Sequence, residues 1–284
     1  MAEGGEGSLC FARRAIRLDS NFIIDIFWRL RPSVALLLRR RSTSSRRLDD
    51  GDKMVSASLL QLQLVNLDRK SPLREQIYQL IRTLIIIGQL GPGRPVNEVE
   101  IAEQLGVSRT PVREAVKRLS DEGLINVYAQ NGTFVAGISR EALEEAYIIR
   151  NALELESVRR AAARMTHAHS EALDDIIAAH KLAITRKRYV EAIRLDDKFH
   201  RTIAEINGLS TLWRAVDISK AQMDRGRYLS IPQPGWGELT IVQHRAVAEA
   251  LATQDGDAAV EAMRQHLDTS LQNTLSILDR SERI

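Results

Sequence analysis

The stretch that decides the fold is NEVEIAEQLGVSRTPVREAVKRLSDEG, residues 97–123. Asn97 and Ser108 each precede a segment with helical spacing of apolar residues, and such polar side chains favour helix starts. Gly106 and Gly123 stand where the two helices should end, a position that favours glycine. The turn between them, Gly106 to Ser108, is as short as the connection in a helix-turn-helix.

The flanking sequence completes a small domain. SPLREQIYQLIRTLIIIGQL (71–90) repeats apolar residues at helical spacing, with Ser71 and Pro72 as a helix start. LINVY (124–128) and TFVAG (133–137) read as two short strands around Asn131-Gly132, a strong hairpin turn signal. Three helices followed by a two-stranded wing predict a winged helix-turn-helix over residues 66–140.

The third helix of this domain is basic along one side. Arg109 and Arg113 lie four residues apart and therefore share a helix face. Arginine suits DNA recognition because its planar fork can bond guanine O6 and N7 together. A charged helix face can also be no more than a solvated surface, but the helix-turn-helix and wing around it favour DNA binding.

The segment GQLGPGRPVNEVEIAEQLGVSRTPVREAVKRLSDEGLI resembles the amino-terminal domain of the GntR family of bacterial transcription regulators, and the likeness covers residues 72–136. The resemblance implies that Gly132, at the wing tip, approaches the minor groove. Some members use an arginine in the second helix, where this chain has Val99. The resemblance also implies contacts with the major groove or its phosphates from Ser108, Arg109, Thr110 and Arg113.

Composition limits the other function classes. The 284 residues leave room for two domains, and the single cysteine, Cys10, excludes an intrachain disulfide. This fits a reducing cytoplasm, the expected location. Residues 1–53 hold 11 Lys and Arg against 7 Asp and Glu, while the whole chain is only +3. The basic character therefore belongs to the first segment and is no argument for nucleic-acid binding.

The first segment, residues 1–65, is predicted to be a basic, disordered extension. Its apolar runs are interrupted by Asp25, Arg29 and Arg31, so none reaches the roughly 18 residues of a membrane span. It also lacks the order of a signal peptide, and no membrane partner is expected. It is either a basic interaction arm or upstream sequence before a true start at Met54. The second interpretation is favoured because clear domain signals begin only near residue 66.

Residues 141–284 are predicted to form an all-α bundle of six to seven helices, so the chain as a whole is mainly α. Apolar periodicity continues through the segment without a credible strand. Asn207-Gly208, PQPGWG (232–237) and Asp255-Gly256-Asp257 mark breaks. The predicted helices span roughly 141–166, 170–187, 189–206, 209–228, 238–254 and 256–279.

A carboxylate and three imidazoles are candidates for a metal site in this bundle. Asp196 and His200 share one helix face beside apolar residues, and burial would be costly unless something satisfied them. His244 and His266 lie 11 residues before and after Asp255, so each is about 16 Å from the turn. In a helical hairpin they reach the same height. Such a donor set suits Zn²⁺, Mn²⁺ or Ni²⁺.

The other three histidines carry no such pattern. His167 and His169 lie near a helix end, and His180 lies on a helix that reads as polar. All three are predicted to be solvated or capping residues.

This part of the chain resembles the FCD class of GntR regulators, named for the FadR C-terminal domain. The matching marks are IRNALELESVRRAAA (149–163), LDDKFHRTI (195–203) and the histidines of VQHRAVAEAL and AMRQHL. The resemblance implies that Arg150 faces an effector pocket, although an ion pair with Glu154 explains it equally well. It favours Asp196 over Asp197 as the carboxylate. The implied metal ligands are Asp196, His200, His244 and His266.

Together these features predict a metabolite-responsive regulator that binds operator DNA as a homodimer. The family resemblance implies that a small carboxylate effector, such as a hydroxy acid, dicarboxylate or sugar acid, completes the metal coordination, and that it releases DNA, which would make the protein a repressor. The alternatives are a metal-dependent enzyme and a regulator with a purely structural metal. The fused DNA-reading domain, and the lack of an obvious general base, nucleophile elbow or phosphate loop, weigh against catalysis.

Overall fold

The computed structural model describes residues 67–281, so the expectations for residues 1–65, including the start at Met54, lie outside the described residues. The chain divides into two compact units, Met1–Leu73 and Arg74–Ile284, and the second contains nearly all that is described. Within residues 67–281, no helix combines the length and apolar character that a membrane span requires.

The winged helix-turn-helix forms as predicted. Its helices bury one apolar face each, with Ile77, Ile81 and Ile85 on the first and Val112 and Leu119 on the third. The elements are α1 (Leu73–Ile86), α2 (Glu98–Leu105), α3 (Arg109–Asp121), β1 (Ile125–Tyr128) and β2 (Gly132–Val135).

Two of the predicted caps, Asn97 and Gly106, bound helix α2. The Asn97 side chain accepts hydrogen bonds from the amides of Val99 and Glu100, at 3.0 and 3.3 Å. Gly106 ends α2 in the left-handed conformation, with φ 61°. Ser108 occupies the N-cap position of α3, but its hydroxyl makes no capping hydrogen bond.

The wing differs from the prediction in the position of its turn. Gly132 is the first residue of β2, paired with Tyr128, and its φ of 106° requires glycine. The loop is therefore residues 129–131, with Gln130 left-handed at φ 68°, because the pairing reaches one residue further than the Asn131-Gly132 signal suggested. Residues 93–96 lie along β2 as an additional edge, since the Val96 amide donates to the Thr133 carbonyl at 2.8 Å.

The second part of the chain is entirely helical within the described residues. The longest helices, α4 and α10, pack against each other, α9 also packs against α10, and α5 packs against both α6 and α9. The elements are α4 (Arg140–Ala162), α5 (His167–Thr185), α6 (Tyr189–Ile206), α7 (Ser210–Ser219), α8 (Ala221–Ser230), α9 (Trp236–Ala252) and α10 (Gly256–Ser281).

One predicted helix was wrong: the segment expected to run over 209–228 is two helices, α7 and α8. The break is at Lys220, whose ψ of 0° departs from helical geometry. Its side chain is buried, and its Nζ lies 2.9 Å from Asp197 Oδ2 and 2.8 Å from Asp224 Oδ2. The spacing of apolar residues cannot show this break, because Lys220 is buried by its ion pairs and not by apolar packing.

Helix α8 lies unusually close to α10. A Cβ added to Gly226 would stand 2.0 Å from Thr274 Cγ2, so glycine is the residue that permits this approach. The position of α8 matters for the site, because it carries Asp224 and Arg227 inward.

Candidate functional site

The four predicted metal ligands come together in the centre of the bundle. Asp196 and His200 project from α6, His244 from α9 and His266 from α10, and all four side chains are buried. One potential ligand atom from each lies within 4.8 Å of every other. The predicted meeting of His244 and His266 at one height is confirmed, since their ring centroids are 4.6 Å apart.

The donor atoms face one another rather than separate partners. His200 Nε2 and His266 Nε2 are 3.2 Å apart, and His244 Nε2 is 3.3 Å from Asp196 Oδ1. Neither ring nitrogen of His244 has a hydrogen-bond partner among the described residues, although the ring is fully buried. Buried nitrogens converging without partners are what a metal ion would satisfy, so these residues fit the implied group.

Apolar packing and a second carboxylate orient the imidazoles. The ring of Phe199 stacks on His244 with centroids 4.1 Å apart. Glu154 Oε2 lies 2.5 Å from His200 Nδ1, which directs His200 Nε2 toward the cluster. Carboxylates commonly play this role behind metal-binding histidines.

Arg150 reaches the site only through Glu154. Its Nε donates to Glu154 Oε1 at 2.6 Å, so the ion pair that the sequence left open does form. Arg150 is buried but is not among the residues that line the central cavity. Arg150 therefore lies behind His200, on the side of Glu154, and an effector contact from it stays a prediction.

The arginine that faces the cavity is Arg227, which the sequence reasoning missed. It comes from α8 and contacts Asp196 Oδ2, the oxygen that also lies 3.7 Å from His200 Nε2. Asp196 thus presents Oδ1 to His244 and Oδ2 to Arg227. No motif marks Arg227 in the sequence, and its inward direction depends on the close approach at Gly226.

A small cavity, partly open to solvent, adjoins the cluster. Asp196, His266 and Arg227 form its charged and ligand-bearing wall, and His180 lines it as well. The remaining lining is mostly hydroxyl and amide groups, with two apolar residues: Ser230, Thr240, Gln243, Thr269, Ser270, Asn273, Ile231 and Trp236.

The expectation that His180 is solvated was wrong. It is fully buried, its ring centroid is 5.5 Å from that of His244, and neither nitrogen has a hydrogen-bond partner among the described residues. Burial lowers its pKa to about 3. The signal was available, because Ile176, Ile177 and Ala183 at helical spacing put His180 on the buried face of α5.

The electrostatics keep the cluster in a metal-binding form. Burial opposes the ionisation of Asp196, but Arg227 and the neighbouring histidines outweigh it and hold its pKa well below the usual value. Burial lowers the pKa of His244 and of His266, the latter strongly. An ionised Asp196 beside neutral His244 and His266 is the state that binds cations.

The residues predicted to contact DNA lie on the outside of the winged helix. Ser108, Arg109 and Thr110 are exposed at the N-terminus of α3, Arg113 is exposed one turn later, and Gly132 is exposed on the wing. Val99, at the position of the second-helix arginine of some relatives, is also exposed. Arg118 of α3 instead forms ion pairs with Glu75 and Glu122.

Sequence comparisons decide the family. The description "Bacterial regulatory proteins, gntR family" matches residues 73–135, and "FCD domain" matches residues 145–269. The HTH-type transcriptional repressor RspR of Escherichia coli K12 is 35% identical over 201 residues, which cover 71% of this chain and 88% of that protein. This chain belongs to the GntR family, in its FCD class.

Further relatives of this GntR regulator agree. A probable D-xylose utilization operon transcriptional repressor of Paenarthrobacter nicotinovorans is 34% identical over 209 residues, covering 72% of this chain and 90% of that one. The solved structure of E. coli McbR/YncC shares the fold, with a TM-score of 0.63 at 23% identity, covering 75% and 99% of the two chains. The GntR chain is thus a DNA-binding transcription regulator, and these relatives are regulators rather than enzymes.

Proposed function

We propose that this GntR regulator is a metabolite-responsive repressor. The winged helix of residues 66–140 binds operator DNA, and the helical domain of residues 141–284 binds a divalent metal ion together with a small organic acid. The observation that carries the proposal is the convergence of Asp196, His200, His244 and His266 beside a polar cavity with a buried arginine. The names of two relatives given above, both repressors, support the direction of control.

The metal would be held by one carboxylate and three imidazoles. Oδ1 of Asp196 faces His244, while the Nε2 atoms of His200 and His266 face each other. Nitrogen and oxygen donors of this kind suit Zn²⁺, Mn²⁺ and Ni²⁺. When bound, the ion supplies a positive charge with coordination positions that an exogenous oxygen can take.

The effector is a small, hydroxylated carboxylic acid. Arg227 offers the guanidinium that a carboxylate requires, in place of the Arg150 expected from the sequence. Hydroxyl and amide side chains such as Thr240, Gln243 and Asn273 line the same cavity and match hydroxyl groups of a hydroxy acid or sugar acid better than an alkyl chain. A dicarboxylate is also a small carboxylic acid, but it carries fewer hydroxyl groups than a hydroxy acid or a sugar acid.

Operator recognition falls to α3 and the wing. The exposed guanidinium of Arg113 is placed to read a base edge in the major groove. Arg109, Ser108 and Thr110, at the helix N-terminus, are placed to contact phosphates or bases, and Gly132 lets the wing tip approach the minor groove.

The working form is a homodimer on a palindromic operator. A single winged helix buries too little DNA surface for operator affinity, and a two-fold dimer reads two half-sites about one helical turn apart. Two chains per operator duplex are therefore expected.

The test is an operator titration with metal-loaded protein and a panel of hydroxy acids, dicarboxylates and sugar acids. The operator is a duplex that the protein itself selects from a random-sequence library. An acid of this class should weaken DNA binding by about 5- to 150-fold for the parent and not for His200→Ala. Metal binding without any acid response would show a purely structural metal, and an acid response unchanged in His200→Ala would separate the effector from the metal.

A further inference from the structure

A series of buried ion pairs begins at Asp196 and leaves the cluster through α8. Arg227 contacts Asp196 Oδ2 with Nη2, and its Nη1 lies 3.0 Å from Asp224 Oδ1. The other oxygen of Asp224 is 2.6 Å from Nη2 of Arg82, which belongs to α1 of the winged helix. Three contacts thus lead from a candidate metal ligand into the DNA-reading domain.

The series continues to the C-terminal end of the recognition helix. Arg82 Nε lies 3.6 Å from Glu122 Oε2, at ion-pair distance. Glu122 caps α3, accepts a hydrogen bond from Tyr78 Oη at 2.7 Å and lies 3.3 Å from Nε of Arg118. Arg118 also stacks 3.6 Å above the Tyr78 ring, so Glu122 and Arg118 fix how α3 sits on α1.

Burial makes these contacts sensitive to charge. From Asp196 to Glu122, no side chain of the series is more than 12% exposed. Ion pairs so shielded from water are weakened little by salt, and a change at one member is felt by the next.

Asp224 is the point where the series can rearrange. Three cations, Arg82, Lys220 and Arg227, share this one carboxylate. If Arg227 moves toward or away from Asp196, the strength of its ion pair with Asp224 changes. The strength of the ion pair between Asp224 and Arg82 then changes as well. A carboxylate shared by three cations can strengthen one ion pair at the expense of another, which is what a switch needs.

We propose that this series, Asp196–Arg227–Asp224–Arg82–Glu122, couples occupation of the metal site to the position of α3 on α1. The inference rests on the proposed metal site. A cation at Asp196 repels Arg227 and loosens its hold on Asp196, whereas an acid bound beside the cation attracts the same guanidinium. Metal and acid therefore have opposite effects on the Arg227 side chain: the first repels it and the second attracts it.

The decisive variant cuts the series where it crosses between the domains. Arg82→Met removes the crossing, yet Asp224 keeps Lys220 and Arg227, and Glu122 keeps Tyr78 and Arg118, so no buried carboxylate is left without a partner. Glu122→Gln cuts the next step, between Arg82 and Glu122, because the isosteric side chain carries no charge. If one variant fails to fold, the other decides.

The matched control is Arg225→Met. Arg225 also lies on α8 and also reaches the winged helix, where its Nη1 donates to the Ala136 carbonyl at 2.8 Å. Its loss weakens the same boundary without interrupting the ion-pair series.

The experiment adds Zn²⁺, Mn²⁺ or Ni²⁺ alone and follows three quantities: metal affinity by calorimetry, amide hydrogen exchange of residues 109–121, and affinity for the selected duplex. In the parent and in Arg225→Met, metal should change exchange in α3 and shift DNA affinity by about 5- to 150-fold. In Arg82→Met or Glu122→Gln, metal should still bind, but both responses should be lost.

The outcomes separate the two proposals. Metal binding to the parent without any response in α3 overturns the transmission alone, and so does a full response in the folded Arg82→Met protein. Loss of the response in Arg225→Met to the same extent also overturns it, because any weakening of the boundary would then suffice. No metal binding to the parent refutes the proposed site, and the transmission falls with it.

Discussion

Glu154 is not one of the four candidate metal ligands, yet the position of His200 depends on it. It holds His200 Nδ1 on one oxygen and Arg150 on the other, and Arg150 with His200 keeps the pKa of the buried carboxyl at about 2 although burial opposes its ionisation. A charged carboxylate fixes both the ring direction and the tautomer of His200. The histidine can then present Nε2 to the cluster.

Glu154→Gln should therefore lower metal affinity by about 10- to 100-fold without removing a ligand. Isothermal titration with metal measures the change. Glu156→Gln is the matched control, because Glu156 lies on the same helix but pairs with Arg160 at the surface. Equal affinities for parent and Glu154→Gln would show that this carboxylate does not position His200.

The charge on Asp224 predicts a pH dependence of stability. Burial opposes its ionisation, but Lys220, Arg82 and Arg227 outweigh it and hold its pKa below the usual 3.8. A carboxylate whose pKa is lowered by folding stabilises the protein above its unfolded pKa, and this contribution is lost as pH falls through the folded pKa.

Asp224→Asn should destabilise the protein by about 3–5 kcal/mol at pH 7, because it leaves buried cations without their anion. It should also flatten the loss of stability below about pH 4, the range where this group titrates in the unfolded chain. Urea unfolding at pH 7 and at pH 3.5 measures both effects, with the exposed Asp121→Asn as control. Parallel stability–pH curves for Asp224→Asn and the parent would contradict this account of Asp224.

Single residues also mark where sequence reasoning succeeded and failed. Asp196 was preferred over Asp197, and the structure turns Asp197 to Lys220 instead of the histidines. Arg227 and Lys220 could not be found, because both owe their burial to partners far apart in sequence.

Among the elements, α8 is the least predictable and the most consequential. It was merged with α7 because helical periodicity alone cannot show a break at a buried lysine. Its approach to α10 at Gly226 brings Arg227 to Asp196. The long helices, by contrast, followed from periodicity and breaks: α6 has the predicted bounds, and α10 begins at the predicted Gly256.

Gly226→Ala should destabilise the protein by about 1–3 kcal/mol, because the added methyl group overlaps Thr274 and forces α8 away from α10. Thermal unfolding measures this effect. Gly137→Ala is the control, since a Cβ there meets nothing within 4 Å. If Gly226→Ala is as stable as the parent, the helices are not packed as closely as described.

Helix α3 carries the prediction for DNA. Arg113→Ala should cost about 1–3 kcal/mol of affinity for the selected duplex if the guanidinium contacts a base. The exposed Arg201→Ala in α6, which removes a pair with Glu205, controls for a general change in charge. A gel-shift titration in which Arg113→Ala binds like the parent would remove Arg113 from the interface.

At the scale of the whole molecule, the architecture was predicted from two kinds of sequence signal, one local and one between distant segments. The turn between α2 and α3 is local, so caps and spacing were enough to predict it. The cluster of Asp196, His200, His244 and His266 is not local: it draws on α6, α9 and α10. It was nevertheless predictable, because the break at Asp255 relates His244 to His266 by distance along two helices. The ion pairs that join the domains carry no such regularity and required the structure.

The central claim is that Asp196, His200, His244 and His266 hold a metal ion, and elemental analysis tests it most directly. The purified protein is incubated with Zn²⁺, Mn²⁺ or Ni²⁺, desalted, and its metal content is measured alongside that of His244→Ala, His266→Ala and the exposed His167→Ala. We expect about one ion per chain in the parent and in His167→Ala, and a large loss in the other two. A parent that retains none of these metals, or full metal in both His244→Ala and His266→Ala, would contradict the account.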